Sequence, residues 1–290
     1  MRSINQIKST LFFAVSSIVL CSFLIQKDAE PASMLFKVEK RGHKTAYVFG
    51  TSHLIPKHKF NISEALEKAM KSSNLVLMEV DMDDPMMPMD MASGVAMKNG
   101  MTISEMVNEA DKQLIDSVLT ETSGVGLTFY NTWKPILLTP LMSFREKGSE
   151  MASYDMTLVQ MAKDKELEIQ GLESIKTQMD LLDEIPYQEQ IDDLIGVMKG
   201  EVALEESEEL FELYAQQDVT GLYNFISKES TEEELEALVL KRNRSWIPVI
   251  EEKTKKNKCL IAFGAGHLGG KDGVLNLLKQ KGFIVTPIAQ

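Results

Sequence analysis

Two histidines in this chain sit in the same local setting. Gly50-Thr51-Ser52-His53 follows the apolar run Ala46-Tyr47-Val48-Phe49, and Gly264-Ala265-Gly266-His267 follows Cys259-Leu260-Ile261-Ala262-Phe263. Glycine lets a chain turn sharply and approach other groups closely, so a strand ending in such a turn can present an imidazole at a sheet edge. The chain has only four histidines, and two presented alike but far apart in sequence point to one shared site. Glu79 and Glu173 follow two further short runs, Asn74-Leu75-Val76-Leu77-Met78 and Leu167-Glu168-Ile169-Gln170-Gly171-Leu172. Imidazole and carboxylate together suit a divalent metal such as Zn, Mn, Co or Fe, and three protein ligands leave room for water. Water so held becomes a nucleophile near neutral pH, a nearby carboxylate can take its proton, and Arg242 can steady a developing oxyanion. Taken singly, each residue also has a plainer reading: a hydrogen-bonded turn histidine, or a glutamate that caps a helix or pairs with a base.

The elements that must position these groups read as an α/β fold, a mixed β-sheet flanked by helices with a helical insertion in the middle of the chain. Met34 to Lys40 alternates apolar and polar, turns at Arg41-Gly42-His43-Lys44 and returns as the strand entering the first histidine turn, which predicts a hairpin. A helix over Ile62 to Ser72 and a strand over Asn74 to Asp81 begin an α/β sheet. From Ser104 to about Asn224 the pattern is mostly helical, interrupted by the short strand before Glu173. A long helix from Thr231 to about Lys255 carries Arg242-Asn243, and the last strand, a helix over Gly273 to Gln280 and a strand over Phe283 to Pro287 complete the order. Between Met82 and Met101 lies a methionine-dense stretch with Pro85, Pro88, Gly94 and Gly100, read as a mobile segment. Its methionines fill gaps under a loop in the simplest reading; the functional readings are an adaptable apolar surface over a site or soft ligands for Cu(I).

Bulk properties limit the function classes. A chain of 290 residues with 44% hydrophobic composition can bury a substantial core. The net charge of −12 argues against nucleic acid as a partner. Arg2 and Lys8 precede the apolar run Leu11 to Ile25, so residues 1–32 are expected to be a signal peptide or N-terminal membrane anchor, with residues 33–290 as one domain outside the cytoplasm, periplasmic, extracellular or tethered. Cys21 follows Leu20, too large a residue for a lipoprotein signal. Cys259, in a predicted strand, reads as a buried small hydrophobe.

From about Met34 to Ile288 the chain resembles the TraB/GumN family, which includes the Tiki-type metalloproteases. The matching pieces are Phe49-Gly50-Thr51-Ser52-His53, Met78-Glu79-Val80-Asp81, Tyr154-Asp155, Gly171-Leu172-Glu173 followed by Gln178, Arg242-Asn243, and Phe263-Gly264-Ala265-Gly266-His267-Leu268-Gly269-Gly270. The resemblance implies a compact α/β domain whose two Gly-x-x-His turns and second-strand glutamate form the site, with Mn or Co as the metal and Zn as a further candidate. Carried over, His53, His267 and Glu79 hold the metal, Glu79, Glu173 and Arg242 are catalytic, and Asp155 and Asn243 orient helices. His43 and His58 match nothing in the pattern and are read as surface residues.

The expectation is therefore a metal-dependent hydrolase acting on a peptide or protein substrate. Two rivals use the same residues: a non-catalytic cell-envelope protein that captures a peptide, haem or metal ion, and a metal-free, esterase-like hydrolase with His53 as general base.

Overall fold

The computed structural model describes residues 32–142, 150–201 and 208–290, and Pro31–Gln290 forms one compact unit. The segment expected to be a signal or anchor lies, but for its last residue, outside the described residues. Among those described, no helix is long and apolar enough to cross a membrane.

The strands are β1 (Leu35–Glu39), β2 (Ala46–Thr51), β3 (Ile55–Pro56), β4 (Leu75–Met78), β5 (Met151–Ala152), β6 (Glu168–Gly171), β7 (Cys259–Gly264) and β8 (Ile284–Pro287). Six of them form a mixed sheet in the order β6-β4-β7-β2-β1-β8, and β3 pairs with β5 apart from it. The predicted hairpin is present, with Leu35 opposite Phe49 in the antiparallel β1-β2 pair. Strands β2, β7, β4 and β6 run parallel. Every residue of β4 and the first five of β7 are buried, as expected of parallel strands covered on both faces. Edge strand β8 alternates exposed and half-buried positions. Cys259 is fully buried and free, and burial pushes its thiol up to about 12. It is the small hydrophobe that its strand position suggested.

Helices cover the sheet and fill the connection between β4 and β6. Helix α1 (Glu64–Ser72) begins at Ser63, whose hydroxyl accepts from the Leu66 N–H, a standard way to satisfy a first-turn donor. The predicted helical insertion is observed, and it carries a second apolar core that includes Ile103, Ile115, Leu119, Leu138, Ile191 and Leu194. The methionine-dense stretch, expected to be a mobile segment, instead holds helix α2 (Met87–Gly94). Pro88 falls in its first turn, where its missing N–H costs no helical bond. Packing explains only some of these methionines. Met82 and Met87 lean on the small cluster of Val80, Ile175, Met179 and Leu182, and Met97 is buried in the insertion core. Met86, Met89 and Met91 are exposed.

The long helix predicted from Thr231 is a composite. Thr231 and Glu234 form a reciprocal capping box, a π-helical turn spans Glu236–Leu240, and a regular helix runs over Lys241–Lys256. The wide turn comes immediately before Arg242, whose Nη1 donates to the Leu238 carbonyl 2.9 Å away. Such π-helical turns recur at functional sites because they re-aim the side chains that follow them.

Candidate functional site

Four adjacent parallel strands place their C-terminal ends on one edge of the sheet. Thr51 is in register with Gly264, and Met78 with Gly171. The residues that follow each strand, His53, Glu79, Glu173 and His267, therefore leave from the same edge. Gly50 is required there by close approach: a Cβ on it would lie 2.5 Å from Leu268 Cδ1 and 3.1 Å from Ala265 Cα. The two histidine turns thus pack directly against each other, and the Tyr214 hydroxyl fixes the first by donating to the Gly50 carbonyl at 2.8 Å.

Glu79, Glu173, Arg242 and His267 converge into one polar cluster. Glu79 Oε1 accepts from the Gly264 N–H at 2.9 Å. Its Oε2 accepts from Arg242 Nη2 at 2.5 Å and from Gln178 Nε2 at 3.2 Å. Glu173 Oε1 accepts from Arg242 Nε at 2.8 Å and from the same Gln178 Nε2 at 3.0 Å. Glu173 Oε2 is buried and has no hydrogen-bond partner among the described residues. His267 Nε2 lies 3.9 Å from Glu79 Oε1 and 3.4 Å from Arg242 Nη1. The guanidinium stands over the Trp246 ring, 4.9 Å from its centroid, and the His267 ring packs on the same indole at 4.6 Å.

His53 stands at the rim, its side chain 72% exposed. Its Nδ1 is 2.9 Å from Asp155 Oδ2, while Asp155 Oδ1 accepts from the Thr51 hydroxyl at 2.8 Å. His267 has a matching arrangement, with Nδ1 2.6 Å from Asn243 Oδ1. The Asn243 amide is oriented by donating to the Asp272 carbonyl at 2.9 Å. Both partner oxygens act as acceptors, so each Nδ1 carries a proton, and in His267, kept neutral by burial, Nε2 keeps its lone pair. Asp155 and Asn243, read from the sequence as helix-orienting residues, hold the imidazoles themselves.

The charges are strongly perturbed. Burial works to raise the Glu79 pKa, but the Arg242 guanidinium leads the opposing effects, with His267, His53 and the Gly264 N–H behind it. Together they hold the carboxyl well below its usual range. Burial lowers the His267 pKa to about 3 despite the pull of Glu79, with Arg242 and His53 adding to the drop. Burial also acts against the Arg242 charge, yet Glu79 and Glu173 raise its pKa overall. The site therefore presents an ionised carboxylate, a permanent guanidinium and a neutral imidazole at pH 7.

These side chains fit a divalent metal by donor chemistry. Two imidazoles braced through Nδ1 and an ionised glutamate are a familiar ligand set, and outer oxygens such as those of Asp155 and Asn243 fix such ligands in orientation. Among the described residues, however, no three His, Cys, Asp or Glu side chains are gathered tightly enough to enclose an ion, and Arg242 already occupies Glu79 Oε2.

Some contributors escaped the sequence reading. Gln178 appeared only as part of a motif, yet it bridges both carboxylates; its position five residues after Glu173, in the first helix beyond the strand, was the available signal. Trp246 lies four residues after Arg242 on one helix face, a spacing that brings side chains together. His43 is not a free surface residue: its Nδ1 is 2.9 Å from Thr254 Oγ1 and its ring packs edge-on to Phe283. His58 is exposed, as expected.

Curated proteins and solved structures contain no match to the chain. The sequence matches the TraB/PrgY/gumN family over residues 34–287, nearly its whole length, and the protein belongs to that family.

Proposed function

We propose that this protein is a metal-dependent hydrolase of peptide bonds, exported or membrane-tethered through residues 1–32. The observation that carries the reading is the braced His267 imidazole beside the ionised Glu79, with a second braced imidazole, His53, leaving from the same edge of the parallel strands. His53, His267 and Glu79 would hold a divalent metal, Mn or Co first and Zn as a further candidate. Such an ion supplies Lewis acidity and lowers the pKa of a bound water. Asp155 and Asn243 leave Nε2 as the outward nitrogen of each ring, and at His267 a bound ion would replace the 3.4 Å contact with Arg242 Nη1. Glu173 has one oxygen without a partner among the described residues, so it is the carboxylate with capacity to accept a proton. A buried, unpartnered oxygen costs about 1–3 kcal/mol, and such costs are tolerated where they serve function. Arg242 bridges the two carboxylates and offers positive charge to a developing oxyanion. Peptide as substrate rests on the likeness to Tiki-type metalloproteases.

A metal-free hydrolase is the second reading, supported by the Thr51-Asp155-His53 chain of hydrogen bonds. That chain gives an exposed imidazole the proton position needed for a general base. The deciding experiment titrates the full chain with Mn, Co and Zn, wild type against the His53→Ala/His267→Ala double variant, and follows turnover on a peptide library with and without chelator. Stoichiometric binding lost in the double variant, with chelator-sensitive cleavage, is expected. Cleavage that survives chelation would move the reading to the His53-Asp155 base; folded wild type that binds none of the three ions would end the metal reading.

A further inference from the structure

The end of the sheet away from the histidine turns is basic, in a chain whose net charge is −12. Three segments far apart in sequence, 37–44, 251–258 and 279–283, hold ten of the 31 Lys and Arg residues against three Glu. The fold gathers them where β1 ends and where β2, β7 and β8 begin. His43 in the hairpin turn is the meeting point. Its Nδ1 is 2.9 Å from Thr254 Oγ1 in the second segment, and its ring centroid is 5.1 Å from that of Phe283 in the third. Lys40 Nζ stands 5.0 Å from the centroid of the same Phe283 ring, and the Lys44 N–H donates to the Thr254 carbonyl at 2.7 Å. Burial, then Lys40 and Lys255, lower the His43 pKa against the pull of Glu251, as a positive local potential requires.

Two of the three glutamates are already matched, Glu39 by Lys37 and Glu251 by Lys40, each at 2.8 Å. Lysines in a last helical turn, such as Lys255, complement the helix dipole. That account does not reach Arg41 and Lys44, which are exposed in the hairpin turn. Ile284 gives the surface an apolar member. It is 68% exposed, more than any other large apolar side chain among the described residues, and it opens β8 directly after the third segment. Cations around a projecting aliphatic group suit an anionic bilayer, where phosphates meet the cations and the aliphatic group enters the headgroup boundary. A soluble polyanion offers the charge without the apolar layer.

We propose that this basic end of the sheet docks on an anionic phospholipid surface. The histidine turns then face away from the lipid, about 20 Å off across the six residues of β2. The docking does not depend on the function proposed for those turns.

The test uses the full chain with Cys21→Ser and Gln280→Cys, carrying a polarity-sensitive fluorophore at position 280; Cys259 stays buried. Vesicles of phosphatidylcholine alone are compared with vesicles containing one-third phosphatidylglycerol, so any attachment through residues 1–32 is common to both. A blue shift on the anionic vesicles alone is expected, reversed at about 1 M salt, where the screening length falls to about 3 Å. Arg41→Gln/Lys255→Gln/Lys281→Gln removes one exposed cation from each segment and should abolish the shift with an unchanged melting temperature, since each cation near the surface is worth about fivefold in affinity. Ile284→Ser keeps every charge and should reduce the shift. The same fluorophore placed through His58→Cys, beyond the first histidine turn, should not respond. An absent shift, an equal one on neutral vesicles or at position 58, one that survives high salt or the triple substitution, or one given by heparin and not by vesicles overturns the proposal.

Discussion

Replacing Arg242 with methionine removes a cation that touches both Glu79 and Glu173, and keeps most of the apolar stem that packs on Trp246. Arg242 Nη2 is 2.5 Å from Glu79 and its Nε 2.8 Å from Glu173, and all three side chains are mostly buried. Removing one partner of a buried ion pair leaves an uncompensated charge, and such changes cost about 3–5 kcal/mol. For a domain of this size that corresponds to a melting temperature lower by roughly 5–10 °C. The pH dependence carries the sharper test. In the wild type the Glu79 pKa is depressed, so its contribution is present above the unfolded carboxyl pKa and lost as pH falls toward the folded value. In Arg242→Met the main opposition to burial is gone, and burial with a second carboxylate nearby raises the folded Glu79 pKa above the unfolded one. The folded variant then takes up a proton before its unfolded chain does. Acidification from pH 8 to pH 5 should therefore narrow the gap between variant and wild type, by about 1.4 kcal/mol for each unit by which that pKa exceeds the unfolded value. Denaturant melts followed by circular dichroism at several pH values measure both quantities. A gap below about 1 kcal/mol at pH 7.5, or one that stays constant or widens on acidification, would refute the ion-pair reasoning.

Three further outcomes follow from the same geometry. His267, lowered to about 3 by burial, stays neutral in the fold while the unfolded chain takes up a proton below about pH 6.5. Wild-type stability should therefore fall between pH 6.5 and pH 3, and His267→Gln should flatten that slope; an equal slope in thermal melts would remove His267 as its source. Asp155→Ala frees the His53 ring and should lower metal affinity or turnover by roughly 10- to 100-fold, the usual effect of losing an outer partner, with little change in the circular dichroism spectrum. Unaltered binding and turnover would deny Asp155 a positioning role. Gly50→Ala puts a methyl 2.5 Å from Leu268 Cδ1 and should cost about 1–3 kcal/mol as an overpacked contact. An alanine variant melting with the wild type would show that the two turns can separate cheaply.

Local sequence was most informative where local chemistry decides. Glycine after a buried run marked both histidine turns, and apolar runs ending in Glu79 and Glu173 marked their strands, because strand ends are written in short patterns. Convergence followed once parallel pairing put β6, β4, β7 and β2 side by side. The bracing of the imidazoles was not legible. Asp155 lies about a hundred residues from His53, and nothing around either residue states that a helix N-terminus will arrive beneath that ring. Asn243 was visible as a neighbour of Arg242 but not as the acceptor for His267, since that depends on how the helix Lys241–Lys256 is rotated after its π turn. The helix in the methionine-dense stretch was hidden by Pro85 and Pro88, which read as breakers until the first-turn position of Pro88 is known.

The two histidine turns share a local pattern yet differ in environment, and the difference comes from what lies above each ring. His267 is roofed by one helix that supplies Trp246 against its face, Arg242 against Nε2 and Asn243 at Nδ1. Every edge of that imidazole meets a fixed group, and burial keeps it neutral. His53 meets Asp155 through Nδ1, and its side chain is 72% exposed. Rotating His53 breaks its Asp155 contact alone among the bonds described above, whereas moving His267 requires the indole and the guanidinium to move as well. The difference in environment between the two rings therefore comes from the placement of one helix over the second turn.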